Sequence, residues 1–247
     1  MICFEHVSVR RGNTPVLTDI SFPVKRGKVT ALLGKNGSGK STLLSCVNRL
    51  CPYDGRILLN DRDLLRIPAT DRARLVALFP QILPETPFSV TQLASLGRTP
   101  HAGAFGSLTD IDRQKVQEAL SLAGMTAFAN RPCNTLSGGE KQRAFLAMLL
   151  TQDTPLLLLD EPATFLDADA AKALYELVVT LVRAHGKTVL TVMHDLSAAV
   201  NTADEIAILD GGSLAFFGTT EECLDSHAIE RAFSVKAYRA DNRIFFA

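Results

Sequence analysis

Apolar positions along this chain fall into short runs separated by turn residues, and their spacing switches between strand-like and helix-like periods. Residues 2–9 and 16–24 alternate or cluster apolar side chains around the turn Arg10-Arg11-Gly12-Asn13, which predicts an antiparallel pair able to cover a nucleotide base. Val29 to Leu33 predicts a buried strand and residues 41–50 a helix. Asp54-Gly55 then turns into a strand at 56–59, and the apolar run 74–79 ends at Pro80-Gln81. From there to Thr151 the texture changes: Pro84 and Pro87 interrupt, residues 90–96 and 112–123 take helical spacing, and Gly103, Gly106 and Gly124 punctuate. Strand and helix alternate again at 155–160, 168–185, 188–193 and 204–209, before Asp210-Gly211-Gly212 leads into 213–217 and helices within 220–233. The expected fold class is α/β, a parallel sheet with crossover helices. One domain is expected, with a core at 1–81 and 152–247 and an inserted, mostly helical part at 82–151.

Composition narrows the function classes. Lys plus Arg and Asp plus Glu both number 26, so no basic track marks a nucleic-acid partner. The five cysteines form no C-x-x-C pair and are odd in number, which fits reduced thiols rather than a disulfide framework. Glu5 stands where a signal peptide needs a basic region, and the apolar run 144–150 is far shorter than the ~18 residues that span a bilayer. A cytosolic protein is expected, and any membrane role requires an anchor elsewhere.

The strongest chemical signal is Gly34, Lys35, Asn36, Gly37, Ser38, Gly39, Lys40, Ser41 and Thr42, which fits the phosphate-loop pattern G-x-x-x-x-G-K-[ST]. Its glycines let the backbone curl with N–H groups inward, at a helix N-terminus whose dipole favours an anion. Lys40 offers a charge to the β- and γ-phosphates, and Ser41 offers a hydroxyl to Mg²⁺. The bland alternative is a Gly/Ser-rich turn joining two elements; the flanking strand and helix favour the nucleotide.

Four consecutive leucines, Leu156 to Leu159, end in Asp160 and Glu161, as in a strand buried on both faces whose tip emerges at the ligand edge. Asp160 can orient water on Mg²⁺, and Glu161 can take a proton from water attacking the γ-phosphate. His194 closes the next apolar strand and reaches the same edge, either as a structural residue or as a donor to the γ-phosphate. Ser137 and Glu140 form a capping box. Capping does not require Gly138 and Gly139, each costing about 1 kcal/mol against Ala in a helix. Bare N–H groups beside the Ser137 hydroxyl make a second anion site, and two such sites on one chain suggest that two chains share each nucleotide.

With these pieces in one order, the chain resembles the ATP-binding subunits of ABC transporters over essentially its whole length. Gly34 to Thr42 is similar to their Walker A, Leu156 to Pro162 to Walker B and Leu136 to Glu140 to the signature. Gln81 matches the Q-loop glutamine, Asp167 the D-loop aspartate and His194 the switch histidine. The resemblance implies a P-loop, RecA-like core with an N-terminal antiparallel β-subdomain and an inserted helical subdomain. It also implies ATP and Mg²⁺, with Ser41, Gln81 and, through water, Asp160 around the metal. Lys40, Gln81, Glu161 and His194 would serve hydrolysis, Glu161 as general base. A head-to-tail homodimer would sandwich two ATP molecules, so that Ser137, Gly138, Gly139 and Asp167 contact ATP in trans. Arg11 stands where many relatives stack an aromatic on adenine, and an Arg plane can stack there too. Phe165 fills a D-loop position that is usually small, and Lys141 one where Gln is frequent.

A narrower resemblance covers Ser89 to Leu93, Leu96 to His101, the tail Phe217 to Glu222 and residues 229–235, which look like importers of ferric siderophores, haem or cobalamin. It implies membrane permease subunits, indirectly an extracytoplasmic binding protein, and a place on the cytoplasmic face of the membrane. The alternatives are an ABC ATPase for another cargo, such as a metal oxyanion importer or an exporter motor, and a soluble non-transport ABC ATPase.

Overall fold

The computed structural model describes residues 1–101, 107–240 and 243–247; Gly103 and Gly106 lie outside them. Strands β1 (Ile2–Arg11) and β2 (Thr14–Val24) form the expected antiparallel pair. β3 (Val29–Gly34) feeds the glycine loop and α1 (Lys40–Val47). That helix ends before the expected residue 50, because Asn48 caps it and Arg49 turns left-handed at φ 57°. β4 (Asp54–Leu59) and β5 (Arg62–Asp63) complete a first sheet of order β2-β1-β4-β5. The run expected at 74–79 divides: Arg74 caps the short helix α2 (Ala69–Ala73), and β6 spans only Val76–Phe79.

Three helices follow, α3 (Val90–Leu96), α4 (Asp110–Leu122) and α5 (Gly138–Thr151), each opened by a capping box. β7 (Leu156–Asp160), α6 (Ala168–Arg183), β8 (Thr188–Val192), α7 (Leu196–Thr202), β9 (Glu205–Asp210) and β10 (Ser213–Thr219) restore the alternation. α8 (Thr220–Asp225) and α9 (Ala228–Phe233) precede a hairpin the sequence did not announce, β11 (Ala237–Ala240) with β12 (Arg243–Phe246).

The central sheet runs β10-β9-β3-β8-β7-β6, parallel except for β10. β3, β7 and β8 are buried along their whole lengths, as continuous aliphatic runs require when helices cover both faces. One apolar cluster joins the first sheet to α1 through Phe4, Ile20, Leu44 and Ile57. A second gathers α3, α4, α5 and α6 through Leu93, Leu120, Phe145 and Leu181. The third packs α7, α8 and α9 on Ala31, Leu33, Ile206 and Ile208.

Candidate nucleotide site

Parallel register brings the expected residues to one edge. Leu32 pairs with Val192, Asp160 with Val192, and Phe79 with Leu159. Gly34 and His194 each lie two residues beyond the Leu32–Val192 pair, and Gln81 and Glu161 each two beyond the Phe79–Leu159 pair, so four adjacent strands lead into the loop, His194, Glu161 and Gln81. This is the carboxyl edge where parallel α/β sheets bind ligands.

The loop itself is shaped for phosphate. Gly39 caps α1 in a left-handed conformation at φ 96°, which a side chain would strain. Lys40 is buried, and its Nζ donates to the carbonyls of Gly34 (2.8 Å) and Lys35 (3.0 Å). Burial lowers its pKa, tempered by the nearby charges of Glu161 and Asp160. The Ser38 Oγ is buried without a partner, a donor at the loop that an anion would satisfy.

Ser41 Oγ donates to Asp160 Oδ1 at 3.0 Å. A hydroxyl and a carboxylate side by side, with the phosphate loop adjoining, form the hard oxygen set that Mg²⁺ takes, and these residues fit the metal. Burial raises the Asp160 pKa against the lowering hydrogen bond from Ser41.

Glu161 leaves β7 with φ 51°, a left-handed conformation that costs a non-glycine residue about 1–3 kcal/mol and clusters at functional sites. Its Oε1 meets His194 Nε2 at 2.6 Å, and its Oε2 accepts from Thr164 Oγ1 at 3.2 Å. Burial pushes this carboxyl up, but hydrogen bonds and charge from His194, with further hydrogen bonds from Gln81 and Thr164, leave it below its ordinary value. Thr164 was not singled out from sequence; the only signal is a Thr three residues beyond Glu161 in a tight turn.

Other expected residues lie apart from this cluster. Ser137 and Gly138 are exposed at the start of α5, and the nearest atom to a Cβ at Gly138 would be the Phe165 Cβ, at 3.9 Å. Ser137 Oγ accepts from Glu140 N at 3.3 Å, while Glu140 takes the Ser137 N–H at 2.8 Å. Asp167 is exposed and caps α6 by accepting from Ala170 N at 2.8 Å. Arg11 is exposed where β1 meets β2, opposite Thr14. Phe165, 69% exposed, presents a large apolar side chain on the same face as the signature.

The 96–101 stretch proves to be a fastener. A Cβ on Gly97 would collide with the Met148 carbonyl, so α3 and α5 touch there. The buried Arg98 donates to Asp112 Oδ1 (2.7 Å) and to the Thr151 carbonyl (3.0 Å). His101 Nε2 lies 3.0 Å from the Gln152 carbonyl.

A phosphate loop on β3, paired acids closing β7 and a histidine closing β8 define a P-loop nucleotide hydrolase. Residues 17–164 match the family model described as ABC transporter. The iron(3+)-hydroxamate import ATP-binding protein FhuC of Bacillus subtilis is 36% identical over 94% of this chain and 87% of its own. The hemin import ATP-binding protein HmuV of Burkholderia pseudomallei is 37% identical over 98% and 96%. A dimeric, post-hydrolysis state of the ATP-binding cassette MJ0796, bound to ADP and Pi, superposes with TM-score 0.78 at 25% identity, covering 89% of this chain and 99% of that one. The chain belongs to the ABC transporter family and is an ABC ATPase.

Proposed function

We propose that this chain is the ATP-hydrolysing subunit of an importer for an iron chelate such as a ferric siderophore, for haem or for cobalamin. The relatives named for hydroxamate and hemin import support the cargo class. Among the described residues no helix is long and apolar enough to cross a membrane. In this reading two copies sit on the cytoplasmic face beneath separate permease subunits, which receive cargo from an extracytoplasmic binding protein.

The observation that carries the catalytic reading is the 2.6 Å contact between His194 and a strained, pKa-depressed Glu161 at the edge shared with the phosphate loop. The loop N–H groups and Lys40 hold the triphosphate. A magnesium ion held by Ser41, Gln81 and, through water, Asp160 would neutralise charge on the β- and γ-phosphates. Glu161, ionised at neutral pH, accepts the proton of the attacking water. A depressed carboxylate at 2.6 Å requires the proton on His194 Nε2, and that same N–H exchanges Glu161 for the γ-phosphate when the site closes. Ser137, Gly138 and Asp167, exposed on another part of the surface, together with the half-buried Gly139, complete the partner's site.

Uptake of labelled ferric hydroxamate, haem and cobalamin by cells with and without the gene, with Lys40→Ala as control, tests the reading. Loss of one activity that wild type restores and Lys40→Ala does not is the expected result. Unchanged uptake of all three would remove the cargo class and leave the ATPase chemistry standing.

A further inference from the structure

Ser197 and Asn201 tie the terminal hairpin to the helix that follows His194. Among the described residues β12 pairs with β11 along one edge only. Its other edge meets α7. Asn201 Nδ2 donates to the Ile244 carbonyl at 2.8 Å, the Ile244 N–H donates to Asn201 Oδ1 at 3.4 Å, and the Phe246 N–H donates to Ser197 Oγ at 3.2 Å. Two side chains four residues apart on a helix rise by about 6 Å. Two residues along a strand rise by about 6.7 Å. A hydroxyl and an amide at helical spacing can therefore meet backbone groups at strand spacing, as if α7 were the missing neighbour of β12. Asn201 Nδ2 also donates to the Ser197 carbonyl at 2.6 Å, which joins the two contacts into one unit.

The brace falls on an element that needs one. α7 has 7 residues, too few to persist on helix propensity alone. Its inward face buries only Ala199 and Val200, in the cluster to which Ile244 and Phe246 of the hairpin also contribute. Its N-cap is Asp195, which accepts from Ala198 N at 2.9 Å and directly follows His194. A shift or tilt of α7 is thus passed to the histidine across one peptide bond.

We propose that Ser197 and Asn201 are positioning residues for ATP hydrolysis: by docking α7 on β12 they hold His194 where it reaches Glu161 and then the γ-phosphate. This rests on the roles given to Glu161 and His194 above. Neither residue touches the site itself. Their effect on catalysis is therefore routed through His194, which gives the proposal a signature that a general loss of stability lacks.

Steady-state ATPase of Asn201→Ala and Ser197→Ala, each in the wild-type and His194→Ala backgrounds, decides the matter. Misplacing a catalytic group by 1 Å can cost about 10²-fold, so a partial release is expected to lower kcat about 10-fold, with KM for ATP unchanged. In the His194→Ala background the same substitutions should cost nothing further. If Asn201→Ala misfolds, Asn201→Asp, which keeps size but sets a carboxylate against two carbonyls, is read in the same way alongside Ser197→Ala. Unchanged kcat in folded Asn201 and Ser197 variants, or an equal fold-loss with and without His194, overturns the proposal. Wild-type hydrolysis by His194→Ala alone would instead overturn the catalytic reading on which it rests.

Discussion

Glu161 is pulled in two directions. Burial favours its neutral form, while His194, Gln81 and Thr164 favour the carboxylate and prevail. A base held ionised beside a phosphate loop should be worth about 10²-fold or more, so Glu161→Gln is expected to slow turnover by that factor and leave ATP binding intact. Single-turnover hydrolysis and nucleotide titration separate the two effects, and an unchanged hydrolysis rate removes the assignment. The same balance predicts a pH effect. With its folded pKa depressed in the nucleotide-free protein, Glu161 stays a base as pH falls through the ordinary carboxylate range, which places the acid limb of kcat/KM low. His194→Ala removes the leading opposition to burial, so the residual activity should lose its base at higher pH. A limb that stays put in a kcat/KM pH profile would mean that another group sets it.

At the scale of elements, a buried ion pair fastens the helices between β6 and β7 alongside their apolar cluster. Arg98, after α3, joins Asp112 in the first turn of α4 and the last carbonyl of α5. Removing one member of a buried pair strands the other, so Arg98→Met should cost about 3–5 kcal/mol in a denaturant titration. Thr109, then Arg98, hold the Asp112 carboxyl down at about 2, below its ordinary 3.8. A depressed folded pKa stabilises the fold above the ordinary value and loses that contribution as pH falls from 3.8 towards about 2. Asp112→Asn should flatten the acid unfolding curve in that window; an unchanged slope would place the charge coupling elsewhere.

The same stretch shows what sequence could carry. The strand-loop-helix around Lys40 and the leucine run ending at Asp160 and Glu161 were legible because burial on two faces and phosphate binding each impose a local pattern. Arg98 and His101 read only as a resemblance, since their partners Asp112, Thr151 and Gln152 are distant in sequence. Helix α2 and the β11–β12 hairpin are too short for periodicity to show, and the hairpin's docking on Ser197 and Asn201 is a tertiary fact. Glu161's left-handed backbone has no sequence signal at all.

Across the whole molecule, the proposed site is split. Lys40, Ser41, Gln81, Asp160, Glu161 and His194 converge on one sheet edge, while Ser137, Gly138 and Asp167 are exposed at the starts of α5 and α6. The central claim is that a second copy supplies the missing half. ATPase activity of mixed dimers tests it most directly, formed from Lys40→Ala protomers and Ser137→Arg protomers that are each inactive alone. If the signature acts in trans, each mixed dimer regains one intact site, Lys40 from one protomer and Ser137 from the other, and hydrolysis returns on mixing. Mixed dimers that form yet stay as inactive as their parents would contradict the account.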